Sequence, residues 1–126
     1  NMCETALEAK EILKEKGIHP TILDPVFIKP LDTEALSHHL TTHHTIVTIE
    51  EHSVEGGLGS IINHFLHQHG YTETRVLNIG IPDTFIQHGS LKVLLDKIGL
   101  SAEKIAEKIT SFINVKTHPP LPVLNL

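Results

Sequence analysis

Two runs rich in β-branched residues, "TIVTIE" at 45–50 and "TRVLNIG" at 74–80, constrain the fold most, because a glycine-rich turn and an amphipathic stretch separate them. In that stretch Ile61, Ile62, Phe65 and Leu66 recur at helical spacing and predict a helix from about Ser60 to His69, stopped by Gly70. Strands that alternate with helices imply an α/β domain with a largely parallel sheet. The first run is apolar without alternation, which is the pattern of a strand covered on both faces.

The remaining stretches extend this pattern. "MCETALEAKEILKEKG" places Ala6, Leu7, Ala9, Ile12 and Leu13 on one side of a helix, with Gly17 as the stop. "PTILDPVFIKP" predicts a strand between Pro20 and Pro30, with Pro25 marking a strand end or an edge. Asp32 is a good N-cap for a short helix in "LDTEALSHHL", and "SLKVLLDKIG" and "SAEKIAEKITSFI" add two more helices. The tail "NVKTHPPLPVLNL" is proline-rich and expected to be extended, so the domain is drawn over 1–113 and the tail over 114–126.

Composition narrows the function classes. A chain of 126 residues, 40% hydrophobic, has apolar side chains for one core. Ten basic residues against fifteen acidic ones, a net charge of -5, argue against a nucleic-acid binder, which needs clustered Lys and Arg. One cysteine, Cys3, excludes an intramolecular disulfide and fits a reducing compartment. No apolar run approaches the roughly 20 residues of a membrane span, and no signal-peptide pattern opens the chain, so a soluble intracellular protein is expected. Because the chain begins with Asn1, almost inside a helix, a fragment of a longer polypeptide is also expected.

Several residues invite a chemical reading. Glu50, Glu51 and His52 fall where the strand "TIVTIE" should end, and open α/β sheets bind ligands at the carboxyl ends of their strands. Acid/base work is one reading, but neighbours in a strand point to opposite faces, so Glu50 and Glu51 should not form a close dyad. The favoured reading is a polar strand end with one carboxylate bonded to nearby backbone donors. "EGGLGS" has the setting of a phosphate loop, yet Ile62 stands where G-x-G-x-x-G requires its third glycine, and no Walker Lys-Ser or Lys-Thr pair follows. Gly56, Gly57 and Gly59 are therefore read as positions of positive φ or close backbone packing. His64, His67 and His69 share one helix, and His38, His39, His43 and His44 flank a turn, but no metal-ligand spacing accompanies them. Cys3 is read as a partly buried small hydrophobe and the PPLP stretch as a plain tail.

Beyond composition and spacing, "FIKPLD" at 27–32, "TIEEHSVEGGLGS" at 48–60 and "GIPDTFIQHGS" at 80–90, taken in order, resemble the C-terminal domain of the 1-deoxy-D-xylulose-5-phosphate synthases. These enzymes form a branch of the transketolase family of thiamine-diphosphate enzymes. The EE…GG-x-G pattern is shared with beta subunits of 2-oxo-acid dehydrogenases, whose C-terminal subunit-interaction or ligand-binding domains are the alternative. "GIPDTFIQHGS" followed by "GLSAEKIAEKI" discriminates between them. The resemblance runs from "ETALEA" to about Ile113.

The resemblance implies a three-layer α/β/α domain with a mostly parallel sheet, lacking here the valine-rich strand that family members carry before "MCETALEA". It implies a full enzyme that condenses pyruvate with glyceraldehyde 3-phosphate, with decarboxylation, for non-mevalonate isoprenoid, thiamine and pyridoxal synthesis. Thiamine diphosphate and Mg2+ serve that reaction on the two preceding domains, and none is expected on this chain. No catalytic, cofactor-binding or metal residue is carried over. Glu50, Glu51, His52, Gly56, Gly57 and Gly59, with Asp83 and His88, are expected to form a structural joint packing against other domains and a second subunit of a homodimer. No nucleic-acid or membrane partner is implied, and the setting would be the bacterial cytoplasm or a plastid.

Overall fold

The computed structural model describes residues 2–82 and 90–114. Seven elements follow in order: α1 (Met2–Glu15), α2 (Thr33–Leu40), β1 (Thr45–Ile49), α3 (Leu58–Gln68), β2 (Arg75–Ile79), α4 (Leu91–Lys97) and α5 (Ala102–Asn114). The strands β1 and β2 pair in parallel, Thr45 opposite Arg75 through Ile49 opposite Ile79, with α3 as the crossover.

Alternation along the two strands divides the interior into two layers. Val47, Ile49, Leu77 and Ile79 pack on α1 and α5; Leu13 of α1, Ile105 of α5 and Leu100, just before α5, are fully buried there. Ile46 and Val76 pack on the opposite side, against Leu40, Ile62, Phe65 and Leu66 of α2 and α3. The architecture is therefore α/β/α, as expected, and the lack of polar alternation in "TIVTIE" reflects helices on both faces. In α5 the buried set Ala102, Ile105, Ala106 and Ile109 falls at helical spacing. Arg75 at the start of β2 holds the end of that helix: its Nη2 donates to Phe112 O at 2.5 Å, and its guanidinium carbon lies 4.4 Å from the Phe112 ring centroid.

Local signals acted as anticipated in two places. Asp32 caps α2 by accepting from Ala35 N at 2.9 Å, and Gly17 leaves α1 with φ at +78°. One element differs. The stretch between Pro20 and Pro30 contains no strand; it is irregular, with bends. A strand exists only where a neighbour completes its ladder, and no described segment provides one.

Beside it, the edge of β1 away from β2 pairs with no strand among the described residues. Arg75 N donates to His44 O at 2.9 Å and Glu50 N to Ile79 O at 3.0 Å, so the even-numbered residues of β1 address β2. Thr45, Val47 and Ile49 then turn their backbone groups to the other side. Cavities of about 370 Å³ and about 620 Å³ meet along this edge and share Thr21, Leu23, Asp24, Thr45 and Val47 in their walls. With no strand beside that edge among the described residues, most β1 residues are only half-buried.

Candidate functional site

Glu50 follows β1 directly and keeps its backbone in the ladder, while its side chain turns under the start of α3. Oε1 accepts from Leu58 N and Oε2 from Gly59 N, each at 2.9 Å, and the residue is 8% exposed. The first amides of a helix lack intrahelical acceptors and carry the positive end of its dipole. The N-cap, Gly57, has no side chain with which to serve them. Glu50 does so from eight and nine residues upstream, and α3 begins at Leu58, two residues before the position expected from periodicity. The anion-binding end of this helix is thus filled by a carboxylate of the chain itself, which leaves no place for a phosphate at those amides.

The glycines make that approach possible. A Cβ on Gly57 would overlap Glu50 Oε1 and lie 2.9 Å from Ser53 O; one on Gly59 would meet Val54 Cγ1 at 2.9 Å and Asn78 Oδ1 at 3.1 Å. Gly56 instead supplies a left-handed turn at φ +75°. The turn is braced by Ser60, whose Oγ donates to Val54 O at 2.7 Å and accepts from Gly56 N at 3.2 Å. Two neighbours escaped the sequence reading. Gly80, just after β2, has room for no Cβ, with Val54 Cγ2 at 2.7 Å and His52 O at 2.8 Å. Asn78 accepts from the buried Thr48 hydroxyl at 2.7 Å, directly across the ladder. The only sequence signal for either was position at or beside the end of the second strand.

Of the other candidates, Glu51 is half-buried and His52 exposed, and the His52 carbonyl accepts from Ile81 N at 2.9 Å. Glu50, Glu51 and His52 all line the cavity beside the β1 edge, but only Glu50 places its carboxylate on the amides at the helix start. Asp83 and His88 lie outside the described residues. Among those described, no three His, Cys, Asp or Glu side chains converge as a metal site. His43 is held through both ring nitrogens, Nδ1 2.9 Å from His39 O and Nε2 3.0 Å from Thr21 Oγ1. His69 sets Nδ1 2.9 Å from Phe65 O and stacks on that ring at 4.3 Å. A carbonyl only accepts, so Nδ1 carries the proton in both rings. Cys3 is half-exposed; the Asp24 carboxylate bonded to it, together with desolvation, pushes the thiol above its ordinary range, away from a reactive thiolate.

The profile of the family described as "Transketolase, C-terminal domain" matches residues 1–105. The chain belongs to the transketolase C-terminal domain family. Among curated relatives of this domain, a 1-deoxy-D-xylulose-5-phosphate synthase from Chlamydia muridarum is 46% identical over 123 residues, 98% of this chain and 19% of that protein. One from Chlamydia trachomatis serovar D is 45% identical over the same span, and one from Chlamydia felis 44% identical over 117 residues, 93% of this chain and 18% of that protein. A solved split-gene transketolase, an inactive β4 tetramer, superposes with a TM-score of 0.81 at 33% identity, over 92% of this chain and 37% of that one. The resemblance drawn from the motifs is borne out. The chain spans about a fifth of the length of the curated relatives it matches. Among the described residues, no helix of this transketolase C-terminal domain is long and apolar enough to cross a membrane.

Proposed function

We propose that this chain is the C-terminal, non-catalytic domain of a 1-deoxy-D-xylulose-5-phosphate synthase that condenses pyruvate with glyceraldehyde 3-phosphate and releases carbon dioxide. The domain's task is packing: it joins the other domains of its polypeptide and a second subunit of a homodimer, in the cytoplasm or a plastid. The observation that carries the non-catalytic role is the engagement of Glu50. The buried carboxylate at the strand end accepts from the Leu58 and Gly59 amides with its two oxygens, which makes it the support of the turn and of the start of α3. Identity of about 45% to synthases along nearly the whole chain supports the choice of reaction.

Thiamine diphosphate and magnesium supply the decarboxylation chemistry in this reading. The described residues do not fit either group: the α3 amides that could hold a diphosphate already hold Glu50, and no ligand cluster converges for a metal. Both belong to parts of the polypeptide outside this chain. Within the joint, Glu51, His52 and the turn glycines shape the surface offered to the neighbouring parts, and Asp83 and His88 are assigned to the same role on the motif "GIPDTFIQHGS" alone.

The test is synthase turnover with both substrates, thiamine diphosphate and magnesium, on this chain and on the full polypeptide that carries it. Turnover by the full polypeptide alone supports the proposal, and turnover by the 126-residue chain overturns the non-catalytic role. A folded but inactive full polypeptide overturns the reaction assigned. Glu51→Ala in the full polypeptide should weaken subunit assembly, read by sedimentation, without a direct effect on the chemical step.

A further inference from the structure

From Gly56 to Thr72 the chain carries no Asp, Glu, Lys or Arg, although 20% of its residues are charged. That stretch includes the whole of α3, and every other helix contains at least one such residue. The face that α3 turns away from the sheet is made of Asn63, His64, His67 and Gln68, all exposed. Beside it, His67 lines a surface cavity of about 220 Å³ with Asn63, Tyr71, Thr72 and Thr74. A helix face left to water normally carries charged side chains, whereas the centre of a protein interface is depleted of Asp, Glu and Lys. Among the described residues neither His64 nor His67 makes a hydrogen bond, in contrast to His43 and His69, whose Nδ1 atoms are fixed on carbonyls.

We propose that the outer face of α3 is an interface with a second copy of this chain, α3 of one copy lying against α3 of the other across a two-fold axis. The inference deepens the homodimer reading above and rests on it. Two observations select a second copy as the occupant. A two-fold contact sets each patch on itself, so any fixed charge near the axis meets its like. Two copies with a net charge of -5 repel one another, and α3 is the helix whose face adds nothing to that repulsion. In addition, a side-chain amide and a neutral imidazole each offer both a donor and an acceptor. Asn63, His64, His67 and Gln68 are therefore able to bond to the same four residues of a second copy, which a face of carboxylates or ammonium groups cannot do.

The contact depends on neutral imidazoles. Around the face, α2 brings Glu34, His38 and His39 across the shared core, and the turn after α3 brings His69, Tyr71 and Glu73. Glu55 precedes α3, Glu50 is bound to its first amides, and Arg75 of β2 is turned to Phe112 in the other layer. Acidification charges histidine between about pH 8 and pH 5, which sets like charges against like at the axis and opposes the contact.

Sedimentation of the full polypeptide over a dilution series tests the proposal, with His64→Glu and His64→Lys made separately and their folding checked by circular dichroism. Each variant sets two like charges at the axis and should raise the dimer dissociation constant about tenfold or more. An equimolar mixture of the two should bring it back to within about threefold of the parent, since opposite charges then meet. Unchanged dissociation in both variants, or a mixture no tighter than its components, overturns the proposal. Weakening by glutamate with tightening by lysine would set α3 against an acidic surface of the second copy and overturns the self-contact. As a second measurement, the parent's dissociation constant should rise about tenfold or more from about pH 7.5 to about pH 5.5. The double variant His64→Gln, His67→Gln, which keeps donors and acceptors but takes up no proton, should lose most of that rise. An equal rise in parent and double variant overturns the proposal. A full polypeptide that is dimeric and indifferent to all these changes keeps the homodimer reading without this surface, whereas one that is monomeric throughout removes both.

Discussion

Replacing Glu50 by alanine should cost more stability than its position at a strand end suggests. The substitution removes two charge-assisted acceptors at 2.9 Å and leaves the Leu58 and Gly59 amides at the start of α3 without them. Hydrogen bonds to a charged group contribute about 1.5–3 kcal/mol each, and the interaction with the helix dipole adds about 0.3–1 kcal/mol. Leu58 N is only partly buried, so water can replace some of what is lost there. A net loss of about 3 kcal/mol is expected, a large share of the roughly 5–15 kcal/mol that holds a typical domain folded. With a urea slope of about 2 kcal/mol per molar, the midpoint followed by circular dichroism should fall by about 1.5 M. The exposed neighbour Glu55→Ala is the control and should stay within about 0.5 kcal/mol of the parent.

Gly57 sharpens the test. In the parent, an alanine there collides with Glu50 Oε1 as well as approaching Ser53 O; with Glu50 truncated, only the second obstacle remains. The double variant should therefore be more stable than the sum of the singles by about 1 kcal/mol or more. A midpoint shift below about 0.3 M for Glu50→Ala, or strict additivity with Gly57→Ala, would refute the carboxylate cap as the support of this turn.

Three further outcomes are expected. Gly80→Ala forces a methyl group against Val54 Cγ2 and His52 O, and should lower stability by about 1–3 kcal/mol in the same denaturation assay. Arg75→Ala removes both the bond to the Phe112 carbonyl and the ring contact, so α5 should fray at its end; roughly 1–2 kcal/mol and faster amide exchange over residues 110–114 are expected. The Asp24 carboxylate accepts from the Cys3 thiol and disfavours its thiolate, so alkylation of Cys3 should be slow near pH 8 and faster in Asp24→Asn. In stability terms a raised thiol value favours the folded state below the ordinary thiol pKa, and that share is lost as pH rises through the folded value.

Much of the fold was legible because its signals are local. Asp32 caps the helix that follows it, Gly17 ends the helix before it, and the absence of polar alternation in "TIVTIE" gave away helices on both faces. The candidate site was legible in kind: a strand-end carboxylate bonded to backbone donors and glycines that admit it. The stretch from Pro20 to Pro30 was not, since its β-branched residues state a preference that only a neighbouring ladder can satisfy. Gly80 was missed because nothing in the sequence places it against Val54 and His52.

The sequence by itself determined the order of elements, their periods and their caps, because these depend on side chains within a few residues of one another. It also carried the family motifs. Only the tertiary structure decided that Glu50 rather than Glu51 serves the helix, since that choice follows from the face on which the strand leaves its ladder with Ile79. Only the tertiary structure left one edge of β1 without a paired strand among the described residues and set Leu23 and Ile28 in one cavity wall with Met2 and Cys3 at the start of α1. Pairing and exposure are relations between distant parts of a chain, and no local pattern of residues encodes them.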